Sequence, residues 1–262
     1  MSDKIYPVPK ISNLVPLMSE EKYSELYKLS LDNPNKFWGE EALSRLNWIK
    51  PFDDVLSTNM EEAEFEWFSN GKLNACFNCV DRHLENNGND IAFFLESDDG
   101  SISKKITYKE LYEEVCRLSN LLKSRGIKKG DRVCIYMPMI LEAIYSMLAC
   151  ARIGAVHSVV FGGFSVESLK DRILDSDCQT IITANEGLRG GKKVPLKYNV
   201  DSAVEQCPNV HTVIVVKNTD TAINLNPEID VNYSDVISNF EPYCECEPMD
   251  SEDPLFILYT SG

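Results

Sequence analysis

The chain has 262 residues, of which 44% are hydrophobic, and its formal net charge is −15 at pH 7. This apolar content suffices for one large core or two smaller ones, so the composition excludes a chain that is disordered throughout. The negative charge disfavours non-specific binding to nucleic acid or to an anionic membrane, and no apolar stretch reaches the roughly 20 residues of a membrane-spanning helix.

The first part of the chain, residues 1–70, predicts a helical leader. Ser19 is a good N-cap for a helix whose apolar residues recur at helical spacing. Asn33-Pro34 begins a second helix, which we expect to continue through Ile49 and to end at Pro51.

The next part predicts a helix followed by a hairpin. Residues 72–84 carry apolar side chains at helical spacing. Two apolar segments then follow, at Ile91–Leu95 and Lys105–Tyr108, with the turn sequence Asp98-Asp99-Gly100 between them. Two strands around a turn predict a β-hairpin.

From residue 108 onward, helical patterns alternate with short apolar segments. The apolar segments predict buried strands at residues 133–137, 156–161, 180–183 and 212–216. The helical patterns lie at residues 111–122, 140–153, 166–174 and 200–206. This alternation predicts an α/β fold in which a largely parallel sheet is flanked by helices. Residues 218–253 are polar and acidic, and we expect them to form a surface excursion.

Ligands on such sheets bind beyond the carboxyl ends of the strands, which directs attention to three junctions. The first is Phe161-Gly162-Gly163-Phe164-Ser165. Its glycines permit positive φ and a close approach of a ligand to the backbone, and Ser165 can cap the following helix. On the residues alone, a turn that needs glycine only for its shape is the favoured interpretation.

The second junction concentrates positive charge in an acidic chain. Four cationic side chains lie within nine residues: Arg189, Lys192, Lys193 and Lys197. Gly190 and Gly191 allow the backbone to bend around an anion while Arg189 and Lys192 converge on it. An anion site and a solvated charged loop are both open interpretations of this pattern.

The third junction joins an apolar strand ending at Tyr259 to Thr260-Ser261-Gly262. Small hydroxyl residues and glycine after a strand are typical of a loop whose amides bind phosphate. The Walker A pattern is absent, so the loop is not that of a P-loop NTPase.

The nine cysteines predict free, buried thiols, because their number is odd and most lie in apolar segments. Cys76-x-x-Cys79 lacks a second ligand pair at zinc spacing, since Cys244-x-Cys246 is a poor partner. We therefore expect no metal site. The polar N-terminus lacks the apolar core of a secretory signal, which favours a cytoplasmic protein.

At the third junction a family resemblance becomes visible. Tyr259-Thr-Ser-Gly262 resembles the opening of the phosphate loop of acyl-adenylate-forming enzymes, and the chain is similar in particular to AMP-forming acetyl-CoA synthetases. The narrower resemblance rests on five segments in family order: Phe37-Trp-Gly-Glu40, residues 67–74, residues 78–83, residues 157–165 and Glu186-Gly-Leu-Arg-Gly-Gly-Lys192. It implies an N-terminal helical leader of the acetyl-CoA synthetase type over residues 1–70. Residues 71–262 would then be an AMP-binding domain truncated in the phosphate loop.

The resemblance also implies a function and its site. Acetate, ATP and CoA would be converted to acetyl-CoA, AMP and pyrophosphate through acetyl-adenylate, with the help of Mg²⁺. The implied CoA contacts are Arg189, Gly190, Gly191 and Lys192, together with Phe161, Gly162 and Gly163, and the implied ATP phosphate contacts are Thr260, Ser261 and Gly262. The catalytic lysine, the Mg²⁺ ligands and most of the acetate pocket would follow residue 262, so no catalytic residue is assigned here.

Two alternatives remain from the sequence. A propionyl-CoA synthetase shares much of this framework, and a non-catalytic chain would at most bind CoA. In either case the expected partners are small molecules. We expect the 262-residue chain by itself to be inactive in adenylate formation and only marginally folded, because later sequence would complete its phosphate loop and its sheet.

Overall fold

The structure, a computed structural model, describes residues 17–97 and 100–260. The chain divides into two compact units, Met1–Leu46 and Asn47–Gly262. Asp98 and Asp99 of the predicted hairpin turn lie outside the described residues, as do Ser261 and Gly262 of the predicted phosphate loop.

The first unit contains two capped helices, α1 (Glu20–Asp32) and α2 (Pro34–Arg45). The Ser19 hydroxyl accepts a hydrogen bond from the Lys22 N–H at 3.2 Å, as predicted for an N-cap. The Asn33 side chain caps α2 in the same way, and Pro34 follows at the first helical position, where its missing N–H costs no hydrogen bond.

Helix α2 ends earlier than the sequence predicts. Leu46 already has extended backbone angles, with φ −112° and ψ 144°. Beyond it, the N–H groups of Ile49 and Lys50 both donate to the carbonyl of Lys72, at 2.7 and 3.1 Å. These residues are therefore paired with a distant segment instead of continuing the helix to Pro51.

The second unit opens with short elements that the sequence patterns missed. They are the strands β1 (Asp54–Asn59), β2 (Glu64–Ser69) and β3 (Lys72–Leu73), the helix α3 (Ala75–Cys79), a 3₁₀ turn (Asp81–His83) and the helix α4 (Leu84–Asn87). Strands β1 and β2 pair antiparallel, so the predicted leader contains a hairpin as well as helices. The single helix predicted for residues 72–84 is broken, because Asn74 caps α3 and Val80, with φ −126° and ψ −66°, leaves the helical region.

The hairpin that the sequence predicts is present as β4 (Ile91–Glu96) and β5 (Ser103–Thr107), which pair antiparallel. Thr107 also begins α5 (Tyr108–Ser124). Its hydroxyl accepts from the Glu110 N–H, and the Glu110 carboxylate accepts from the Thr107 N–H at 2.8 Å. This capping box lies where the β4–β5 hairpin ends and the alternation of helices and parallel strands begins.

The remaining elements build the central sheet and the helices around it. In chain order they are β6 (Arg132–Met137), α6 (Leu141–Ile153), β7 (Val156–Phe161), α7 (Val166–Ser176), β8 (Thr180–Ala184), β9 (Gly187–Arg189), β10 (Lys192–Val194), α8 (Leu196–Val204), β11 (Thr212–Val216), β12 (Asp230–Asn232), α9 (Tyr233–Val236), a 3₁₀ turn (Ile237–Asn239), β13 (Met249–Asp250) and β14 (Phe256–Ile257). Within the described residues the sheet has six strands in the order β12-β11-β8-β6-β7-β14, and every pair is parallel. The predicted α/β fold with a parallel sheet is confirmed.

The expectation that residues 218–253 form only a surface excursion is wrong. Strand β12 pairs with β11 and forms one edge of the sheet. Val231, Tyr233 and Cys244 are all buried, each less than 10% exposed. The segment is polar in composition, yet it supplies a few apolar anchors to the core.

The prediction of free, mostly buried thiols is confirmed. All nine cysteines are unpaired, and seven of them are buried. The two exceptions are Cys79, which is exposed, and Cys246, which is partly exposed. Within the described part of the chain, no group of three or more His, Cys, Asp or Glu side chains is arranged to hold a metal ion.

Candidate functional site

The three junctions identified in the sequence follow strands of one sheet. Strand β7 lies between β6 and β14, and β8 lies on the other side of β6. Because all these strands are parallel, their carboxyl ends point the same way. The residues after Phe161, Ala184 and Ile257 therefore leave the sheet on the same side, beyond those carboxyl ends. The fold therefore brings together segments that lie up to 100 residues apart in sequence.

At the first junction glycine is needed because atoms of neighbouring residues lie close to the backbone, and not because the backbone has a positive φ. Neither Gly162 nor Gly163 has a positive φ. A Cβ on Gly163 would lie 2.5 Å from the Phe161 ring and 3.0 Å from an Arg189 nitrogen, and one on Gly162 would lie 3.2 Å from the Met137 carbonyl oxygen. A side chain at position 163 would thus separate the first junction from the second.

The second junction is a tight hairpin formed by β9 and β10. Gly190 and Gly191 have φ values of +54° and +73°, and a side chain on either would meet only open space. Two successive positive φ values are the signature of a two-residue turn that suits glycine. Arg189 and Lys192 are paired across this turn, which places their side chains on the same face of the hairpin.

A network of side-chain hydrogen bonds fixes the base of the β9–β10 hairpin. The Asn185 side-chain oxygen accepts from the N–H groups of Asn218 and Thr219, and its amide nitrogen donates to the Thr221 carbonyl at 2.9 Å. The carboxylate of Glu186 accepts hydroxyl hydrogen bonds from Thr219 and Thr221, at 2.7 and 2.8 Å. These two hydroxyls, together with Lys193, lower the pKa of Glu186 to about 2.

The four cations of the second junction fall into two classes. Lys193 lies 3.0 Å from the Glu186 carboxylate, and the buried Lys197 lies 2.8 Å from Asp230 and also contacts Asp201. In contrast, neither Arg189 nor Lys192 forms a salt bridge with any residue in the described ranges, and both are exposed. The structure therefore neutralises two of the cations and leaves two available on one face.

The first and second junctions are in direct contact. The Arg189 guanidinium carbon lies 5.0 Å from the centre of the Phe161 ring, which is 51% exposed. At this distance the ring attracts the cation and orients it without cancelling its charge. An exposed ring, a glycine backbone and two free cations can together hold a ligand that has both a planar group and a phosphate.

The third junction is held by α7. The guanidinium of Arg172 lies between two rings, 4.7 Å from the centre of Phe164 and 5.1 Å from the centre of Tyr259. The Tyr259 hydroxyl donates to the Asp175 carboxylate at 2.6 Å. Burial, reinforced by Asp175, raises the pKa of Tyr259 to about 12, so this hydroxyl keeps its proton at neutral pH.

Thr260 follows directly and lines a cavity of about 410 Å³ together with Tyr259 and residues of α7. Of the predicted phosphate-loop residues it is the one that falls within the described range. Sequence reasoning did not identify Arg172, because an arginine on an amphipathic helix carries no signal of its distant ring partners. The structure shows that it links the first junction, through Phe164, to the start of the third.

The comparisons with known proteins agree with this architecture. Residues 80–262 match the family described as AMP-binding enzyme, and residues 23–79 match the family described as acetyl-coenzyme A synthetase N-terminus. The chain is 53% identical over 258 residues to acetyl-coenzyme A synthetase 2 of Pseudomonas aeruginosa, covering 98% of this chain and 40% of that protein. It is 49% identical over 259 residues to an acetyl-coenzyme A synthetase of Dictyostelium discoideum, covering 98% of this chain and 38% of the relative.

A solved structure, the acetoacetyl-CoA synthetase from Streptomyces lividans, superposes with a TM-score of 0.83 at 24% identity. The match covers 94% of this chain and 37% of that one, and it shows the shared fold. The chain thus spans about 40% of the length of the curated relatives it matches. Among the described helices, none combines the length and the apolar character that crossing a membrane would require.

Proposed function

The chain belongs to the AMP-binding enzyme family, and from this premise we propose that it is the N-terminal part of an AMP-forming acetyl-CoA synthetase. In the proposed reaction an oxygen of acetate attacks the α-phosphorus of ATP, so that pyrophosphate leaves and acetyl-AMP forms. The sulfur of CoA then attacks the acetyl carbonyl carbon, loses its proton, and displaces AMP. The products are acetyl-CoA, AMP and pyrophosphate.

The observation that carries the proposal is the free cation pair on the β9–β10 hairpin. Arg189 and Lys192 face the same side of a Gly-Gly turn, while their neighbours Lys193 and Lys197 are paired with carboxylates. An otherwise acidic chain keeps two positive charges unpaired beside an exposed aromatic ring. This arrangement suits the phosphorylated adenosine end of CoA, with Phe161, Gly162 and Gly163 along the same ligand.

The proposed ATP contacts lie at the third junction. Thr260, Ser261 and Gly262 would begin the loop over the ATP phosphates, where backbone amides and hydroxyls donate to anionic oxygens. The contribution of Tyr259, Arg172 and Asp175 would be to fix where that loop starts. By the family resemblance, the Mg²⁺ that accompanies ATP would be held by residues that follow residue 262.

Acetate is the proposed acid because the relatives reported above that match at about 50% identity are named acetyl-coenzyme A synthetases. A propionate-specific pocket would differ by one methylene, a difference worth roughly 1–3 kcal/mol in binding. The choice between the two acids therefore rests on sequence similarity.

The proposal can be tested with a chimera. Residues 1–262 replace the matching part of the Pseudomonas aeruginosa relative, to which they are 53% identical. We expect acetate-dependent exchange between ATP and pyrophosphate, and then thioester formation with CoA, at rates within about tenfold of the parent enzyme. Acetate should outcompete propionate in both assays.

The outcomes separate the alternatives. A chimera that unfolds cooperatively but performs neither step would contradict the proposal. Exchange without thioester formation would refute the CoA assignment alone, and a preference for propionate would favour the propionyl-CoA synthetase alternative.

A further inference from the structure

Five side chains form a continuous stack that runs from the second junction to the third. The Arg189 guanidinium carbon lies 5.0 Å from the centre of the Phe161 ring. The Phe161 ring meets the Phe164 ring edge to face, with the ring centres 5.7 Å apart. The guanidinium carbon of Arg172 then lies 4.7 Å from the centre of Phe164 and 5.1 Å from the centre of Tyr259. Each contact lies within the range at which rings attract cations or one another.

The middle of this stack is carried by a rigid element. Arg172 lies on α7, and the helix is anchored by Leu169 and Ile173, which are both buried in the core. One terminal nitrogen of Arg172 donates to the Ser168 carbonyl at 2.9 Å, which holds the guanidinium against the preceding turn of the helix. The helix therefore fixes the cation, and the cation in turn orients the two rings beside it.

Arg172 also keeps its charge available for those rings. The neighbouring cation Lys170 is paired with Glu167 and lies 3.7 Å from Asp171. In contrast, no carboxylate in the described ranges forms a salt bridge with Arg172. A half-buried cation without a carboxylate partner is attracted to ring faces more strongly than a cation in open solvent.

On one side of Arg172, the backbone of the ring residue is already fixed. The N–H of Phe164 donates to the Phe161 carbonyl at 3.0 Å, and the Phe164 carbonyl accepts from the Tyr136 hydroxyl at 2.8 Å. The side-chain amide of Asn199 donates to the same hydroxyl at 3.1 Å. What remains for Arg172 to orient is the Phe164 ring, which is 40% exposed, and through it the Phe161 ring.

On the other side, the ring leads into the proposed phosphate loop. Tyr259 lies two residues beyond Ile257, where β14 ends, and Thr260 follows it. The Tyr259 side chain connects this segment to α7, through its contact with Arg172 and its hydrogen bond to Asp175. These side-chain contacts therefore set the position from which the loop continues.

We propose that Arg172 is a positioning residue shared by the two half-reactions. The inference rests on the proposed function, in which CoA binds beside Phe161 and Arg189 and ATP binds at the phosphate loop. By holding the Phe164 ring, Arg172 keeps the Phe161 ring in place, and with it the Arg189 guanidinium that faces the CoA phosphate. By holding the Tyr259 ring, it keeps the start of the phosphate loop in place for ATP.

A shared positioning residue has its own kinetic signature. Arg172→Met keeps most of the aliphatic stem and removes the charge. It should raise the KM for ATP in pyrophosphate exchange and the apparent constant for CoA in thioester formation, each about twofold to fivefold. That is the effect expected for one cation–ring contact at a partly exposed site. The kcat of each half-reaction should stay within about twofold of the parent value, because Arg172 acts through the rings and not on the reacting atoms.

The experiment measures both constants in the chimera and repeats Arg172→Met in two further backgrounds. In a Tyr259→Leu background the ring is absent, so Arg172→Met should no longer change the KM for ATP but should still change the constant for CoA. In a Phe164→Leu background the pattern should be reversed. A general loss of structure would raise both constants in every background, so the crossed pattern identifies action through each ring.

Two further variants complete the test. Lys170→Met removes a cation of the same helix that is paired with Glu167, and it should leave both constants unchanged. Arg172→Lys keeps a charge on the helix but loses the planar group that lies over both rings, and it should raise both constants about twofold. Unchanged constants in Arg172→Lys would overturn the proposal even if Arg172→Met failed to fold.

The remaining outcomes separate this inference from the proposed function. An effect of Arg172→Met on only one of the two constants, or equal effects in all three backgrounds, would overturn the inference and leave the proposed function intact. A folded parent chimera that performs neither half-reaction would refute the proposed function, and this inference with it.

Discussion

Removal of either free cation from the β9–β10 hairpin should weaken binding of CoA and leave the first half-reaction unchanged. In the chimera, Arg189→Ala or Lys192→Ala deletes a charge that has no carboxylate partner in the described structure. A hydrogen bond to a charged group contributes about 1.5–3 kcal/mol. The exposure of both side chains favours the lower end of that range, so the apparent constant for CoA should rise by roughly tenfold to thirtyfold.

The assay separates the two half-reactions. Acetate-dependent exchange between ATP and pyrophosphate should keep its rate, and thioester formation should need more CoA. Dephospho-CoA gives a second readout, because a variant that has lost a phosphate contact should discriminate less between CoA and its dephospho form.

The same hairpin supplies a matched control. Lys193 has the same charge as Lys192 but lies 3.0 Å from Glu186 and donates to the Thr221 hydroxyl at 2.6 Å. We expect Lys193→Ala to change the apparent constant for CoA by less than about threefold. Equal effects at positions 192 and 193, or a loss of exchange together with thioester formation, would refute the reasoning.

Three further predictions concern stability and the start of the phosphate loop. Asp81→Asn leaves the buried charge of Arg152 without its carboxylate and should lower the free energy of unfolding in urea by about 3–5 kcal/mol. Burial lowers the pKa of His157 from 6.5 to about 4, so the stability that its neutral form provides is complete above pH 6.5 and is lost as pH falls towards 4. Urea titrations should show a loss of about 2 kcal/mol from this residue between pH 7 and pH 5, which His157→Gln removes. Tyr259→Phe deletes the hydrogen bond to Asp175 and should raise the KM for ATP in the exchange assay about fivefold, as expected for about 1 kcal/mol.

The stability predictions have a common control in Asp53→Asn. Asp53 lies 3.9 Å from the exposed Lys50, and surface pairs of this kind contribute little. We expect a change below about 0.5 kcal/mol at either pH. If Asp53→Asn and Asp81→Asn lowered the free energy of unfolding by similar amounts, the burial of the Asp81–Arg152 pair would not increase its contribution to stability.

The central sheet could be predicted from the sequence because its strands are buried on both faces. Strands β6, β8 and β11 are almost entirely buried and consist mainly of apolar residues, a pattern that is typical of the central strands of a parallel sheet. Strand β12 was missed because it has three residues, Asp230, Val231 and Asn232, and only the middle one is apolar. Its place in the sheet follows from pairing with β11, which no local pattern records.

The sequence predicts which residues form the Gly-Gly turn of the candidate site. It does not predict which of the four cations are paired with carboxylates. The Gly-Gly bend between Arg189 and Lys192 is visible in the sequence, and the structure shows the expected turn. The ion pair that occupies Lys197 is formed with Asp230, which lies 33 positions later and approaches only through the fold. For this reason the sequence left the anion site and the solvated loop equally open.

The order of strands in the sheet has a consequence for synthesis on the ribosome. Strand β14 pairs with β7, yet residues 162–255 are translated between them. At roughly 5–20 residues per second, the free edge of β7 stays uncovered for on the order of 5–20 s after it emerges. Its exposed residues Val159 and Phe161 then present an open strand to other nascent chains. Crowded polysomes should therefore be the point at which this protein most needs a chaperone.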